Sequence, residues 1–233
     1  MKTGEKKEGR RDTYLNKVGD AIRAAMPTLD MTDQHVAAAV YRLLSNGEPI
    51  DATAVAESVG DITVDSVNER LDSWPGVFRD DRGRVVGFWG HAIDKLDPEY
   101  RLLADGNTTY AWCALDTLFI PGIIGKTVRV EASDPISGEA VSVVVDGDGV
   151  REVTPAGALV SMLIPDGPFG YDVIESFCHR VLFFASALTG ATWIARHKGA
   201  TLLSVEQAFE LGRVLTERVA GASSSESRGG AAA

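Results

Sequence analysis

Hydrophobic positions in the first part of the chain recur with the period of an α-helix. In Tyr14–Met26 the apolar residues stand three to four positions apart, and Pro27 marks the end of the stretch. A second helix is predicted to follow, with Asp33 as its amino-terminal cap and Asn46-Gly47 as its close, because Asn and Gly suit left-handed backbone geometry. The chain is therefore expected to begin with amphipathic helices.

Two more helices and a hairpin complete this amino-terminal part. Helical patterns cover Asp51–Val59 and Thr63–Trp74. Beyond them, two short β-rich runs, Val77-Phe78 and Val85–Trp89, flank the turn-forming cluster Asp80–Gly83, which predicts a β-hairpin. Helices followed by a small hairpin resemble a winged helix.

The pattern changes near residue 90, and the remainder mixes helices with strands. Asn107–Ile120 is predicted to be a helix that Pro121-Gly122 stops. Near the end, Ser204 and Gln207 have the spacing of a capping box and open a last helix. Strand-like runs lie between these helices at Thr127–Ala132, Ala140–Val145, Ala158–Ile164 and Arg180–Ser186.

These patterns predict an α+β fold in two parts. Residues 13–90 would form a helical, winged-helix-like module, and residues 91–221 a mixed β-sheet domain with flanking helices that carries the chemistry. The charged run at residues 1–12 and the Ser-, Gly- and Ala-rich residues 222–233 offer few apolar groups to a core. We expect them to be a disordered arm and a disordered tail.

Composition and charge narrow the possible partners. With 45% hydrophobic residues over 233 positions, the chain can bury a substantial core. Its formal net charge of -10 argues against nucleic acid, since binding to phosphates usually depends on a basic surface. Residues 1–12 lack the apolar segment of a secretory signal, and no apolar run approaches the length of a membrane span. We therefore expect a cytoplasmic protein with no nucleic-acid or membrane partner.

Cys113 and Cys178 are the two cysteines of the chain, and without a secretion signal they are expected to be free thiols. Asp116 follows Cys113 at a spacing of three, so a helix would place both side chains on one face. A carboxylate can accept a thiol proton, burial can raise a carboxyl pKa until the group serves as an acid, and soft thiolates prefer soft metals. Spacing alone leaves commoner roles open, namely core packing for the cysteines and a surface charge for Asp116.

Other kinds of site fit the sequence less well. A structural zinc site needs four Cys or His ligands at suitable spacing, and His91, His179 and His197 are scattered. Neither a glycine-rich phosphate loop nor a dinucleotide-binding fingerprint is present. Ser161 and Ser176 lack the context of a nucleophile elbow. The two thiols remain the strongest candidates for chemistry.

The segment Tyr110–Leu118, with the sequence YAWCALDTL, resembles the central motif of the organomercurial (alkylmercury) lyases. Further segments resemble the same family in order and approximate spacing, and together they cover most of residues 90–215. These segments are Pro121–Val130, Val153–Gly157, Ser176–Cys178, Val181–Ser186 and Ser204–Gly212. The amino-terminal helices resemble the family only in their pattern.

The resemblance implies a catalytic set of Cys113, Asp116 and Cys178. The same three residues would bind the mercury of the substrate and product. One thiolate would capture the mercury of an organomercurial cation, and the second thiol would lose its proton to Asp116. Asp116 would then protonate the leaving carbon, which releases a hydrocarbon and leaves mercury(II) on the two sulfurs. Cleavage by protonation implies an enzyme that needs no redox cofactor.

The resemblance also implies partners for turnover. Excess small thiols would remove mercury(II) by exchange, and a mercuric reductase would accept it. His179 is a departure, because some members of the family have a second cysteine immediately after the position of Cys178. We expect activity to survive this change, with an effect of His179 on mercury release or on a local pKa.

Two alternatives stay open at the level of sequence. The winged-helix-like part could bind DNA in a mercury- or thiol-responsive sensor. Its presumed recognition helix, however, sets three acidic residues against Arg70, a poor surface for phosphates, which favours a covering or packing module. In the second alternative, Cys113 and Cys178 are a redox pair that forms a reversible disulfide.

Overall fold

The computed structural model describes the backbone of residues 2–221 and the side chains of residues 13–221. The predicted tail, residues 222–233, lies outside the described residues, as do the side chains of the predicted arm. The backbone of residues 2–12 continues the first helix, where the sequence predicts an arm. This run is rich in Lys, Glu and Arg, which are good helix formers.

The amino-terminal part contains the four helices that the sequence predicts. They are α1 (Lys2–Ala25), α2 (Met31–Leu44), α3 (Ala52–Val59) and α4 (Val64–Ser73). The cap predicted for α2 is wrong by three positions, because Asp30 rather than Asp33 is the N-cap. The Asp30 carboxylate accepts a hydrogen bond from the Asp33 amide, and the Asp33 carboxylate accepts one from the Asp30 amide. Asp33 is thus the second member of a capping box.

The predicted hairpin forms, but it is not a separate wing. Strands β1 (Val77–Arg79) and β2 (Val85–Phe88) pair antiparallel, and β2 also pairs with β3 (His91–Ala92). Through β3 the hairpin joins the sheet of the second part. Buried residues of the amino-terminal helices and of this sheet belong to one hydrophobic core.

The main sheet of the described chain has eight antiparallel strands in the order β1-β2-β3-β5-β4-β6-β7-β8. Its remaining strands are β4 (Tyr100–Ala104), β5 (Asn107–Ala111), β6 (Val128–Ser133), β7 (Ala140–Asp146) and β8 (Gly149–Thr154). Along β6 and β7 buried positions alternate with more exposed ones, so one face of the sheet packs on the core.

A second sheet and four more helices complete the α+β fold. Strands β9 (Leu159–Met162), β10 (Phe183–Phe184) and β11 (Thr201–Ser204) lie in the order β10-β9-β11. The helices are α5 (Ala114–Ile124), α6 (Val173–Ser176), α7 (Ala187–Ile194) and α8 (Val205–Ala220), and a 3-10 turn covers Cys178–Arg180. The capping box predicted for Ser204 and Gln207 is confirmed at the start of α8. Within the described residues, no helix is both long and apolar enough to cross a membrane.

Two predictions around the central motif are wrong. Asn107–Ala111 is strand β5 rather than the beginning of a helix, because the turn at Asp105-Gly106, with φ of 50° and 83°, folds it back onto β4. Helix α5 begins later than predicted and continues through Pro121 to a left-handed close at Gly125. The motif is therefore a strand followed by a helix.

Burial of α5 explains why Pro121 does not end it. Apart from Gly122, every residue of α5 is buried. Helix α8 packs so closely that a Cβ on Gly212 would lie 3.2 Å from the Cβ of Phe119, and the Thr216 hydroxyl donates to the Phe119 carbonyl (3.2 Å). Packing of this density outweighs the one backbone hydrogen bond that a proline removes. The burial of α5 and its packing against α8 thus hold the helix, including its first turn, in place.

Candidate active site

Strand β5 leads the chain to the start of α5, and Cys113 is the N-cap residue at this junction, with extended backbone angles (φ -153°, ψ 174°). Two backbone hydrogen bonds hold the junction. The Trp112 amide donates to the Gly90 carbonyl (2.9 Å), and the Ala114 amide donates to the Val181 carbonyl (3.0 Å). The Cys113 side chain is fully buried, so its thiol is fixed between these two supports.

Asp116 occupies the third position of α5, one turn after the N-cap. A side chain at this position turns back toward the N-cap residue, as the acidic member of a capping box does. The Asp116 carboxyl lies against the thiol and the backbone amide of Cys113. Its Oδ2 atom is buried and has no hydrogen-bond partner in the described part of the chain. A buried carboxyl with a free oxygen is well placed to exchange a proton with a neighbouring group.

Cys178 reaches the same place from a distant part of the chain. It opens the 3-10 turn after α6, and the Val181 amide donates to its carbonyl (3.0 Å). The sulfurs of Cys113 and Cys178 and a carboxylate oxygen of Asp116 all lie within 4.8 Å of one another, and the two thiols are in hydrogen-bonding contact. Over residues 13–221, these three residues form the one such group of potential metal ligands. The structure therefore brings together all three site residues that the sequence predicts.

Burial dominates the protonation of this group. It raises the pKa of Asp116 to about 7, although the thiol and amide of Cys113 act to lower it. Burial also raises the pKa of Cys113 well above its ordinary value, with smaller contributions from Cys178 and Asp116. At Cys178 the hydrogen bond with Cys113 lowers the pKa, but burial and the Asp116 charge together raise it above the ordinary value. At neutral pH both thiols hold their protons, and Asp116 can accept or release one.

An apolar pocket leads from the surface to this group. Its cavity volume is about 50 Å³. Asp116 and Cys178 form part of its wall, whereas Cys113 lies behind them. Much of the remaining wall is aromatic, from Trp89, Trp112, Phe119, Phe169 and Phe177. The pocket suits a molecule that pairs an apolar group with a soft, thiol-seeking atom.

Comparisons with known proteins identify the family of the chain. A family model described as "MerB: Alkylmercury lyase" matches residues 95–217. An alkylmercury lyase of Staphylococcus epidermidis is 37% identical over 179 residues, which are 77% of this chain and 80% of that protein. One of Pseudomonas putida is 34% identical over 206 residues, which are 88% of this chain and 93% of that protein. The chain belongs to the alkylmercury lyase family.

A solved structure shows that the family likeness extends to the fold. The structure, described as "Crystal structure of the mercury-bound form of MerB2", superposes with a TM-score of 0.67 at 20% sequence identity. The match covers 89% of this chain and 99% of that chain. The chain therefore shares its α+β fold with this structure over most of its length.

Some residues beside the site gave little or no sequence signal. Tyr41 and Tyr100 are buried, and burial raises the pKa of both phenols, with a further contribution from the nearby Asp116 charge. Gly90 lies against the Asp116 carboxyl, where a Cβ would meet Cγ and Oδ1 at 2.5 Å. The one hint in the sequence concerns Gly90. A glycine directly after the predicted strand Val85–Trp89 suggests an unusual backbone conformation at that position.

The histidines lie apart from the buried thiols. His179, the departure next to Cys178, is exposed and is not part of the pocket wall. His91 is buried, its Nε2 lies 2.9 Å from the Thr109 hydroxyl, and burial lowers its pKa to about 3. His197 hydrogen-bonds through Nδ1 to a backbone carbonyl of its own helix region (2.8 Å). These three histidines therefore lie in separate surroundings.

Proposed function

We propose that the protein is an organomercurial lyase that cleaves the carbon–mercury bond by protonation. One observation carries this proposal: two buried thiols and a buried carboxyl, with ligand atoms within 4.8 Å of one another, lie at the inner end of an apolar pocket. Thiolates are preferred ligands of soft metals, and a carboxyl with a pKa of about 7 can act as base and then as acid. The family membership supports the same reaction.

Capture of the substrate begins at the pocket wall. An organomercurial cation would enter with its hydrocarbon group against the aromatic wall and its mercury toward Cys178, the thiol that lines the pocket. The Cys178 sulfur forms a bond to mercury, and the thiol proton passes to water at the mouth of the pocket. Attraction between mercury and sulfur drives this loss of the proton, because at neutral pH the free thiol is protonated.

The second thiol and the carboxyl act together. Cys113 forms a second sulfur–mercury bond and gives its proton to Asp116, which lies directly against it. Asp116 then delivers this proton to the carbon. The electron pair of the carbon–mercury bond becomes the new carbon–hydrogen bond, so the hydrocarbon leaves and mercury(II) stays on the two sulfurs. Neither mercury nor sulfur changes oxidation state, so we propose that no redox cofactor takes part.

Turnover requires removal of mercury(II) from two thiolates. We propose that small thiols reach the metal through the mouth of the pocket and displace the protein sulfurs by exchange. The predicted mercuric reductase would receive the metal by the same chemistry. Both partners, and the predicted cytoplasmic location, suit a compartment in which thiols stay reduced.

The amino-terminal module is proposed to cover the pocket rather than to bind DNA. The end of α1 and the turn after α4 supply Met26, Pro27 and Pro75 to the pocket wall. Arg70, the cation of α4, forms a salt bridge with Asp33 at 3.0 Å, so its charge is already paired within the protein. Both observations disfavour the alternative of a mercury-responsive DNA-binding sensor with a winged helix.

Release of hydrocarbon tests the proposal. Purified, reduced protein is incubated with phenylmercury and excess small thiol, and benzene is measured by gas chromatography. We expect benzene to form catalytically, many equivalents per chain, and one mercury(II) to be retained per chain when the thiol is left out. Absence of benzene above a protein-free control would refute the proposed function. A disulfide between Cys113 and Cys178, found by mass analysis and required for activity, would favour the redox alternative instead.

A further inference from the structure

Two consecutive residues bend the backbone against the Asp116 carboxyl. Trp89 has a φ of 37° and Gly90 a φ of 94°, so both lie in the left-handed region. At Gly90 a Cβ atom would stand 2.5 Å from Cγ and Oδ1 of Asp116 and 3.0 Å from its Cβ. No side chain fits in this space. The backbone of the bend is therefore itself the surface on which the carboxyl rests.

Three hydrogen bonds of Trp89 hold the bend. The Trp89 amide donates to the Gly76 carbonyl (3.2 Å), and its indole Nε1 donates to the Pro75 carbonyl (2.7 Å). The Tyr41 hydroxyl donates to the Trp89 carbonyl at 2.5 Å. A left-handed backbone conformation costs free energy at a tryptophan, and it persists only where contacts with the surrounding structure hold the residue in place. The three hydrogen bonds of Trp89 are such contacts.

The groups that hold the bend come from both parts of the chain. Tyr41 lies in α2, is fully buried, and has its ring edge-on to Phe88 (centroids 5.1 Å apart). Its hydroxyl thus has a fixed direction. From the other side, the Trp112 amide donates to the Gly90 carbonyl (2.9 Å), one residue before Cys113. Tyr41 of the amino-terminal module and Trp112, the residue before the N-cap of α5, therefore hold the bend from two sides.

We infer that the Trp89–Gly90 bend positions the Asp116 carboxyl for proton delivery, and that Tyr41 is a positioning residue that holds the bend in place. This inference rests on the proposed function, since it concerns the proton that Asp116 delivers. It gives the amino-terminal module a task beyond covering the pocket. Proton transfer requires hydrogen-bond reach between the carboxyl and the receiving atom, and small displacements of a reacting group slow a reaction strongly.

The first experiment removes one oxygen atom, with Tyr41→Phe. Tyr14→Phe is its matched control, because the Tyr14 hydroxyl also donates to a carbonyl, that of Met162 at 3.4 Å, away from the site. Single-turnover release of hydrocarbon is measured beside stoichiometric binding of mercury(II). We expect Tyr41→Phe to lower the single-turnover rate constant about 10- to 100-fold, with one mercury(II) still bound per chain. Tyr14→Phe should match the wild type in both measurements.

The second experiment fills the space itself, with Gly90→Ala. Gly60→Ala is the matched control: its φ of 96° imposes the same backbone strain, yet a Cβ there meets no atom within 4 Å. We expect Gly90→Ala to lower the single-turnover rate constant of hydrocarbon release about 100-fold or more. The variant should still bind mercury(II) through both thiols. Gly60→Ala should lose stability without losing the rate of release per folded chain.

The outcomes separate this inference from the proposed function. A wild-type protein that releases no hydrocarbon refutes the proposed function. An active wild type whose Tyr41→Phe and Gly90→Ala variants release hydrocarbon as fast as their controls overturns the positioning role alone. If Tyr41→Phe fails to fold, the comparison of Gly90→Ala with Gly60→Ala decides. Equal loss of mercury binding and of hydrocarbon release in Gly90→Ala would also overturn the positioning role, because the substitution would then have disrupted the whole site rather than proton delivery alone.

Discussion

Cys113 is the N-cap of α5 and Asp116 is the third residue of the same helix, so a single helical turn fixes the thiol and the carboxyl relative to each other. In an ordinary capping box these two positions stabilise the helix end. Here the same geometry places a proton acceptor against a proton donor in a buried setting. The local structure that starts the helix thus also sets up the proposed proton transfer.

Asp116→Asn should separate capture from cleavage. The amide keeps the shape of the carboxyl but cannot shuttle a proton, so we expect hydrocarbon release to fall between about 100- and 10,000-fold. Binding of one mercury(II) per chain should persist, because both thiols remain. Single-turnover gas chromatography and metal analysis after gel filtration measure the two effects. Wild-type release from this variant would contradict the role assigned to Asp116.

Cys113→Ser and Cys178→Ser should each abolish turnover. A hydroxyl is a poor ligand for a soft metal, so each variant is expected to lose on the order of 1000-fold or more in hydrocarbon release, and the double variant should be little worse than either. Thermal melting serves as the control for folding, since both sulfurs are buried. A single variant that retained near-normal rates would show that cleavage needs only one sulfur.

Cys178 should be alkylated before Cys113. Cys178 lines the pocket, whereas Cys113 lies fully buried behind it. Both reactions should be slow at neutral pH and faster as pH rises, because burial keeps the pKa of each thiol above its ordinary value and the thiolate is the reactive form. Timed iodoacetamide labelling followed by peptide mass analysis gives the order. Earlier labelling of Cys113 in the folded protein would argue for a different route of entry.

The raised pKa of Asp116 should make stability depend on pH. The folded protein holds this proton up to about pH 7, whereas the unfolded chain releases it near its ordinary pKa of 3.8. Stability is therefore expected to fall as pH rises from about 4 to about 7, by on the order of 2 kcal/mol between pH 5 and pH 8 on account of this group.

Asp116→Asn is the control for this pH effect, because it removes the titrating group. His91, whose pKa burial lowers to about 3, acts in the opposite sense below pH 6.5, but it is common to both proteins and cancels from the comparison. Urea unfolding at pH 5 and pH 8 measures the free energies. Parallel pH dependence in the two proteins would mean that Asp116 ionises normally in the folded state.

The sequence predicted which residues meet at the candidate site better than it predicted their local structure. Cys113, Asp116 and Cys178 were found through the family motif, and their meeting in one buried group is confirmed. The helix predicted from Asn107 failed because the turn before β5 and pairing with β4 override helical spacing. Pro121 was predicted to end a helix that burial on all sides sustains.

The contacts around Asp116 could not be predicted from one sequence. Tyr41 stands 75 positions before Asp116, and nothing in the helical pattern of α2 marks its hydroxyl as different from any buried phenol. Gly90 has no side chain in the space that the Asp116 carboxyl occupies. Both depend on how α2, the hairpin and α5 pack together, which periodicity does not encode.

The pairing of β2 with β3 means that the residues matched by the family model are only part of the sheet to which they belong. The family model begins at residue 95, but a chain cut there would lack β1, β2 and β3 and would leave one edge of β5 open. An open edge exposes unpaired amides and carbonyls that invite association between chains. Since β5 leads directly to Cys113, such a fragment would be prone to associate at the strand beside the candidate site. Dissection or grafting of this catalyst must therefore carry the preceding hairpin with it.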